Sequence, residues 1–487
     1  MKKLKELLLG VEIINMVGDI ELEIISICFD SRKVTSGSIF VVIKGYVQDG
    51  ENFIDDAIKN GARVIIHKTS YKNFVDGITY IQVADSRLVL AQIAQNFYNH
   101  PSKKLKLIGV TGTNGKTTTA TLLFNLFRNF GFHSALLSTI ENKIDEEIFP
   151  ATHTTPDPVA LASFLSLAVS KGCEYVFIEC SSQAIDQKRL HGLHFIGMLF
   201  TNVTHDHLDY HKTLETYAEV KKSLFDTLPE TAFAVANQDD ERSDYILSDT
   251  PAKKYFFSLK ENSKADFILK INKQSLEGLD ASIDGNRIHT KLIGKFNAYN
   301  ILGIFAIAKI LGIQDEQIIS SIKILNPPTG RLQFFKSPKG FYGIVDYAHT
   351  PDALQNVLTT VREITPSGGH IITVVGCGGD RDTLKRPIMG AIACKLSDFV
   401  IFSSDDPRSE NPDEIIKDIT GDLPKSIKNY ESITDRVNAV AKACSKASSG
   451  DVVLLAGKGH EQYQIFKDKK VHFSDIEEIR KNFKSPL

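Results

Sequence analysis

Short apolar runs that end in glycine or aspartate punctuate this chain, with amphipathic stretches between them. Near the N-terminus, Ile39–Ile43 and Val64–Ile66 read as strands bounded by Gly and Asp turns. Leu105–Val110 is a further apolar run, followed by glycines and then by a helical pattern over Lys116–Phe130. Strands are expected again at Tyr175–Ile178, Met198–Thr201 and Phe233–Ala236, and a helix at Asn297–Leu311. From about Thr329 the style repeats, with strand candidates Gly343–Val345, Ile371–Val375, Phe399–Phe402 and Val452–Leu455. The alternation predicts the α/β class, with parallel sheets covered by helices on both faces. No internal repeat or low-complexity segment interrupts it.

At 487 residues the chain is too long for one core, and roughly 100–200 residues per domain suggests three domains. Asn99-His100-Pro101-Ser102 and Asn326-Pro327-Pro328 read as the breaks. The expected units are an N-terminal α/β domain (1–101), a central parallel-sheet domain (102–328) and a C-terminal Rossmann-like α/β domain (329–487). Ligands of open α/β sheets sit beyond the carboxyl ends of strands. The turns at Asp346, Gly376–Gly379, Asp405-Asp406 and Gly457–Gly459 therefore mark a binding face in the third unit.

Composition narrows the class. A 42% hydrophobic and 24% charged chain is an ordinary globular protein. A net charge of −2 without a polybasic run speaks against nucleic acid and against an anionic membrane surface. The run Leu7–Leu9 is too short for a signal peptide, and Glu6 and Glu12 interrupt it. No apolar stretch approaches the ~20 residues of a membrane span. Cys28, Cys173, Cys180, Cys377, Cys394 and Cys444 form no CxxC pair, so they read as small buried hydrophobes in a reducing compartment. The expectation is a cytoplasmic monomer.

The chemistry begins at Gly109-Val110-Thr111-Gly112-Thr113-Asn114-Gly115-Lys116-Thr117-Thr118. Strand, glycine-rich loop and helix follow in the order a phosphate-binding loop needs. Glycines let backbone N–H groups turn toward phosphate oxygens, and the helix N-terminus adds positive potential. Lys116 can reach the β- and γ-phosphates, and the Thr117 hydroxyl can ligate Mg²⁺. Asn142-Lys143-Ile144-Asp145 matches a guanine-reading pattern, but no strand precedes it, and it reads as a solvated turn. Glu179, at a strand end, suits a Mg²⁺ ligand. His205, His207 and His211 lack helix-borne zinc spacing and have no cysteine close by.

The glycines at 109, 112 and 115 depart from the general phosphate-loop pattern. The compact Gly-Thr-Asn-Gly-Lys-Thr form resembles the Mur ligase and folylpolyglutamate synthetase superfamily. Asn202-Val203-Thr204-His205-Asp206-His207-Leu208-Asp209, Asp346-Tyr347-Ala348-His349-Thr350-Pro351 and Gly457-Lys458-Gly459-His460-Glu461 extend the resemblance to the Mur ligases over essentially the whole chain. It implies ATP as substrate, bound by Thr111 through Thr118 with Asn297, Asn300, Asp346 and His349. It implies Mg²⁺ held by Thr117, Glu179, His207 and a carbamylated Lys221. Lys116, Glu179, His207, Lys221 and Arg331 would be the catalytic set, with Arg331 reaching the γ-phosphate across the domain gap.

The same resemblance implies a UDP-MurNAc-dipeptide substrate, met by Ser31, Thr154, Thr155, Ser181, Gln187 and Arg189. His205 and His211 are then polar loop residues, and Gln183, where the family often has His, takes no part. The incoming amino acid would meet Arg381, Asp405, Asp406, Pro407, Arg408, Gly457 and Glu461. Asp405-Asp406-Pro407-Arg408 resembles a family Asp-Asn-Pro-Arg string that goes with meso-diaminopimelate, whose distal carboxylate suits an arginine. Asp406 in place of Asn adds an acidic group there. The implied reaction is amide formation through an acyl phosphate. A lysine-adding Mur ligase and a folylpolyglutamate synthetase remain as alternatives, as does a phosphate-loop binding module without ligase chemistry.

Overall fold

A computed structural model describes residues 1–484 apart from 46–47, 70–72, 152, 205 and 468. Among the described residues, three main sheets follow one another along the chain. The first orders Asn15–Val17, Thr79–Gln82, Ala62–His67, Ser38–Val41 and Ser26–Cys28. The third orders Gln333–Lys336, Tyr342–Asp346, Val452–Ala456, Ile371–Val375, Phe399–Phe402 and Tyr430–Ser432, all parallel except for the first pair.

The central sheet carries the phosphate loop. Its middle is parallel, in the order Ser134–Leu137, Tyr175–Glu179, Lys106–Thr111, Phe195–Phe200, Phe233–Asn237, Lys253–Ser258. Alternation along these strands feeds two separate cores. Ile108, Val110 and Phe177 face the helices Lys116–Asn129 and Lys295–Ile310, meeting Leu123, Phe127, Ile301 and Phe305. Leu107, Val176 and Ile178 face the helices Pro158–Ser170 and Leu214–Asp226, meeting Leu161, Leu165 and Phe225. Burial on both faces is the reason these strands read as unbroken apolar runs.

Several expectations need correction. Beyond its parallel middle the central sheet is mixed: Asn142–Ile144 and Glu147–Phe149 add antiparallel on one side, while on the other Phe267–Ser275 joins parallel to Lys253–Ser258 and only Gly278–Ile283 and Asn286–Thr290 continue antiparallel. Asn142–Ile144 is therefore a strand and not a solvated turn. Ile144 is buried in the core, and the chain reverses only at Asp145, whose φ is +50°. The strand expected at Met198–Thr201 begins earlier, at Phe195, because Phe195 pairs with Leu107. No helix is long and apolar enough to cross a membrane among the described residues.

Candidate active site

The phosphate loop links the strand Lys106–Thr111 to the helix Lys116–Asn129. Both neighbouring strands are parallel to it, in registers Glu179↔Val110 and Phe200↔Thr111. That pairing delivers Glu179 to one flank of the loop and the 201–204 segment to the other. At Gly112 the backbone has φ +152°, and an added Cβ would lie 1.9 Å from Thr201 Oγ1, so only glycine fits. Thr201 Oγ1 and Asn202 Nδ2 both donate to Asn114 O, at 2.7 and 3.2 Å, while Asn114 N–H donates to Asn202 Oδ1 at 2.9 Å. The loop is thus held by the strand beside it before any ligand arrives.

Glu179 is fully buried. Its carboxylate accepts from the Thr117 hydroxyl at 3.0 Å and from Thr139 N–H and Oγ1 at 2.8 and 3.1 Å. Burial pushes its pKa up, against the pull of the Thr139 N–H and Lys116. Lys116 Nζ donates to Gly112 O at 2.9 Å and Thr113 O at 2.7 Å. Lys221 Nζ, with no exposed surface, donates to the same Gly112 O at 2.8 Å and lies 4.3 Å from the Tyr217 ring centroid. Two amines on one carbonyl repel if both are charged. Burial and, after it, Lys116 hold the Lys221 pKa well below the usual amine range.

A cavity of about 780 Å³ opens over the loop. The central unit lines it with Thr113 through Thr118, Glu179, His207, Lys221, Asn297 and Asn300. Asn300 Nδ2 donates to Asn297 Oδ1 at 3.0 Å, and Thr119 Oγ1 donates to Asn300 Oδ1 at 3.1 Å, so the two asparagines are fixed as one unit. His207 has φ +54°, and its Nε2 lies 3.6 Å from Asp206 Oδ2. The third unit adds Arg331, Asp346, His349, Arg381 and Glu461. Arg331 crosses to the loop: Nη2 donates to Thr117 Oγ1 at 3.2 Å, and the guanidinium stacks 4.4 Å from the Tyr347 centroid. Asp346 caps backbone, accepting from Leu332 N–H at 2.6 Å and Ala348 N–H at 2.8 Å.

Thr154, Thr155, Ser181, Gln187 and Arg189 line the same cavity on its other side. They interlock: Arg189 Nη1 donates to Thr155 O at 2.8 Å and Nη2 to Gln187 Oε1 at 2.7 Å, while Thr155 Oγ1 lies 3.2 Å from Ser181 Oγ.

Other expected residues stand off the cavity wall. Thr111 is buried, and its hydroxyl donates to Cys180 O at 2.8 Å, so only its backbone serves the loop. Gly112 likewise contributes backbone. Ser31 lies in the first unit, where Asn60 Nδ2 donates to its carbonyl at 2.9 Å. Asp405, Asp406, Pro407, Arg408 and Gly457 do not line the cavity, though Lys458 ties Asp405 and Asp406 to Glu461, which does. His211 is buried and bonded to Ser182 Oγ at 2.8 Å, so it is not a polar loop residue; the ring packs 5.0 Å from Tyr217. Gln183, to which no part was given, lines the cavity. His205 lies outside the described residues.

Sequence reasoning missed Thr139, Tyr347 and Lys458. Lys458 was the most legible of them, since a lysine between two glycines stands inside the string Gly457–Glu461. Its ammonium is fully buried among Asp405, Asp406 and Glu461.

The strand order, the loop and the shared cavity define a phosphate-loop α/β protein whose nucleotide site is completed by a second α/β unit. Family models agree along the chain: the Mur ligase family catalytic domain matches residues 23–98, the Mur ligase middle domain 110–308, and the Mur ligase glutamate ligase domain 330–459. The chain is 46% identical over 482 residues to the UDP-N-acetylmuramoyl-L-alanyl-D-glutamate--2,6-diaminopimelate ligase of Phocaeicola vulgatus, covering 99% of both chains. It is 40% identical to the ligase of that name from Clostridioides difficile, covering 98% of both. A solved structure of a ligase of the same name superposes with TM-score 0.70 at 30% identity, over 99% of this chain and 98% of that one. The MurF ligase of Thermotoga maritima, solved with ADP, shares the fold at TM-score 0.63 and 21% identity, over 94% and 96%. The chain belongs to the Mur ligase family and is an ATP-using ligase.

Proposed function

We propose that this enzyme adds meso-diaminopimelate to UDP-N-acetylmuramoyl-L-alanyl-D-glutamate at the expense of ATP, giving the UDP-linked tripeptide, ADP and phosphate, a step in peptidoglycan precursor synthesis. One observation carries the reading beyond the relatives' names. A single cavity joins the phosphate loop and Arg331 to Arg381 and Glu461. ATP and an amino acid with two charged heads can therefore lie in the same space.

In the first step a carboxylate oxygen of the dipeptide attacks the γ-phosphorus, the bond to the β-phosphate oxygen breaks, and ADP leaves. The amine of the amino acid then attacks the acyl carbon, loses a proton and expels phosphate. Lys116 of the loop and Arg331 of the third unit offset the charge that develops on the transferring phosphoryl group. Asn297 and Asn300 border the nucleotide's base side. Thr154, Thr155, Ser181, Gln187 and Arg189 orient the UDP-sugar peptide, and the first unit, which carries Ser31, takes its UDP end.

Thr117 and Glu179 present oxygen donors side by side, which is the donor set Mg²⁺ takes. With His207 they would hold it, and bound Mg²⁺ would supply charge neutralisation to the phosphates. Burial favours the neutral amine of Lys221, the form that adds CO₂, and the carbamate would complete the set. The units 1–101, 102–328 and 329–487 serve as UDP-sugar, ATP and amino-acid domains. A cytoplasmic monomer fits a chain that uses ATP and nucleotide sugars.

The test is ADP release with the UDP-MurNAc-dipeptide and, in turn, diaminopimelate, lysine and glutamate. Diaminopimelate alone should give full turnover. Release without any amino acid, or a preference for lysine, would refute the assignment.

A further inference from the structure

Lys458 has no exposed surface, yet it faces three carboxylates: Glu461 Oε2 at 2.8 Å, Asp406 Oδ1 at 2.9 Å and Asp405 Oδ1 at 3.4 Å. It therefore ties the turn after Val452–Ala456 to the turn after Phe399–Phe402. Asp406 is buried, with Oδ1 also accepting from Ile465 N–H at 3.2 Å, while its Oδ2 lies 4.0 Å from Arg408 Nη2. Arg408 Nη1 is spent on Gly379 O at 2.6 Å. A Cβ at Gly378 would meet Arg408 Nη1 at 3.0 Å and Arg381 Cγ at 3.7 Å, so both arginines flank one glycine at the amino-acid end of the cavity.

Electrostatics makes this arrangement consequential. A buried carboxylate beside a guanidinium competes with any carboxylate the ligand brings, because interaction at such distances is weakly screened in an interior. Lys458 stands closer to Asp406 than Arg408 does. The ammonium, shared with Asp405 and Glu461, offsets part of the Asp406 charge, so that less of it falls on the partly exposed Arg408 guanidinium. It also pins Glu461, which lines the cavity.

We propose that Lys458 is a positioning residue that sets selectivity for an amino acid with a distal carboxylate, by offsetting the charge of Asp406 beside Arg408. It acts through Asp406 and touches no reacting atom. The proposal rests on the reading of the reaction above. Wild-type turnover with diaminopimelate tests that reading by itself, and the variants test this one.

The experiment measures ADP release against diaminopimelate, lysine and ATP for the wild type, Lys458→Met, and Lys458→Met with Asp406→Asn. The single variant should raise KM for diaminopimelate by about tenfold or more, with KM for ATP within about twofold, and lower the preference for diaminopimelate over lysine. Removing the surplus charge at 406 should return the diaminopimelate KM to within about threefold of wild type, since an amide oxygen can still accept from Ile465 N–H. Equal rises for ATP and diaminopimelate, or no recovery in the double variant, would overturn the proposal. If Lys458→Met does not fold, the double variant decides: folding with a near-wild-type KM supports it, and any other result counts against it.

Discussion

The carboxylate of Asp352 accepts the side-chain amide of Asn114 at 2.8 Å, joining the first turn of the helix Pro351–Ile364 to the phosphate loop of another unit. The same Oδ2 accepts Thr204 Oγ1 at 3.1 Å. Hydrogen bonds to a charged group contribute about 1.5–3 kcal/mol each, and these are partly exposed, so the lower end applies. Asp352→Ala should lower kcat about tenfold, because loss of ~1.4 kcal/mol is a factor of ten. Asp352→Asn should retain most activity, since its carbonyl oxygen can accept both bonds. Combining Asp352→Ala with Asn114→Ala should add little to either alone. Fully additive losses would show that the contact does not act as a unit.

Arg331 brings the third unit within hydrogen-bond distance of the loop threonine Thr117. Arg331→Ala should reduce ADP release about 10³-fold, the range seen when an arginine on a transferring phosphoryl group is lost. Arg331→Lys should not restore it, because an ammonium lacks the planar fork that stacks on Tyr347 while reaching Thr117. Recovery with lysine would refute the contact's part in the reaction.

Two histidines make stability depend on pH. Burial, then Lys385, pushes the His349 pKa down from 6.5 to about 4; burial, then Arg331, pushes that of His460 down to about 3. Above pH 6.5 both are neutral, folded or unfolded. As pH falls below that, the unfolded chain binds protons that the folded chain refuses, so stability drops by up to about 1.4 kcal/mol per pH unit for each histidine. The loss stops once pH passes the folded values. Urea unfolding should show lower stability at pH 5 than at pH 7, and His349→Gln should shallow the slope. An unchanged slope would count against burial of a neutral ring.

A buried ion pair holds the strand that ends at Lys458's turn. Arg436 Nε and Nη2 donate to Asp475 at 2.9 and 2.8 Å, both side chains are 0% exposed, and Nη2 also donates to Ala456 O at 2.9 Å. Asp475→Ala leaves a buried cation unpaired and should destabilise the protein by about 3–5 kcal/mol. Adding Arg436→Met should recover much of that loss, because the orphaned charge is removed. Denaturant titration of both variants measures it, and a double variant no more stable than the single would contradict the argument.

Much of the fold was legible because its signals are local. Lys106–Thr111, Tyr175–Glu179, Ile371–Val375 and Val452–Ala456 are short apolar runs ending in polar turns, and both-face burial demands that composition. The edge extension Phe267–Thr290, parallel where it joins and antiparallel beyond, was not legible. Its strands alternate buried and exposed residues amid lysine and asparagine, and their pairing depends on an edge the sequence does not display.

By itself the sequence determined the α/β class, the phosphate loop and the family resemblance, since glycine spacing and strand–loop–helix order are properties of consecutive residues. The tertiary structure decided which groups meet. Thr139 reaches Glu179 because two parallel strands end together, Asp352 reaches Asn114 because one unit packs on another, and Lys458 lies among three acids because two distant turns converge. Such meetings depend on strand order and on how units pack, and neither is written in any single stretch of chain. The same packing explains why Arg381 and Glu461 line the cavity while Asp406 and Arg408 do not.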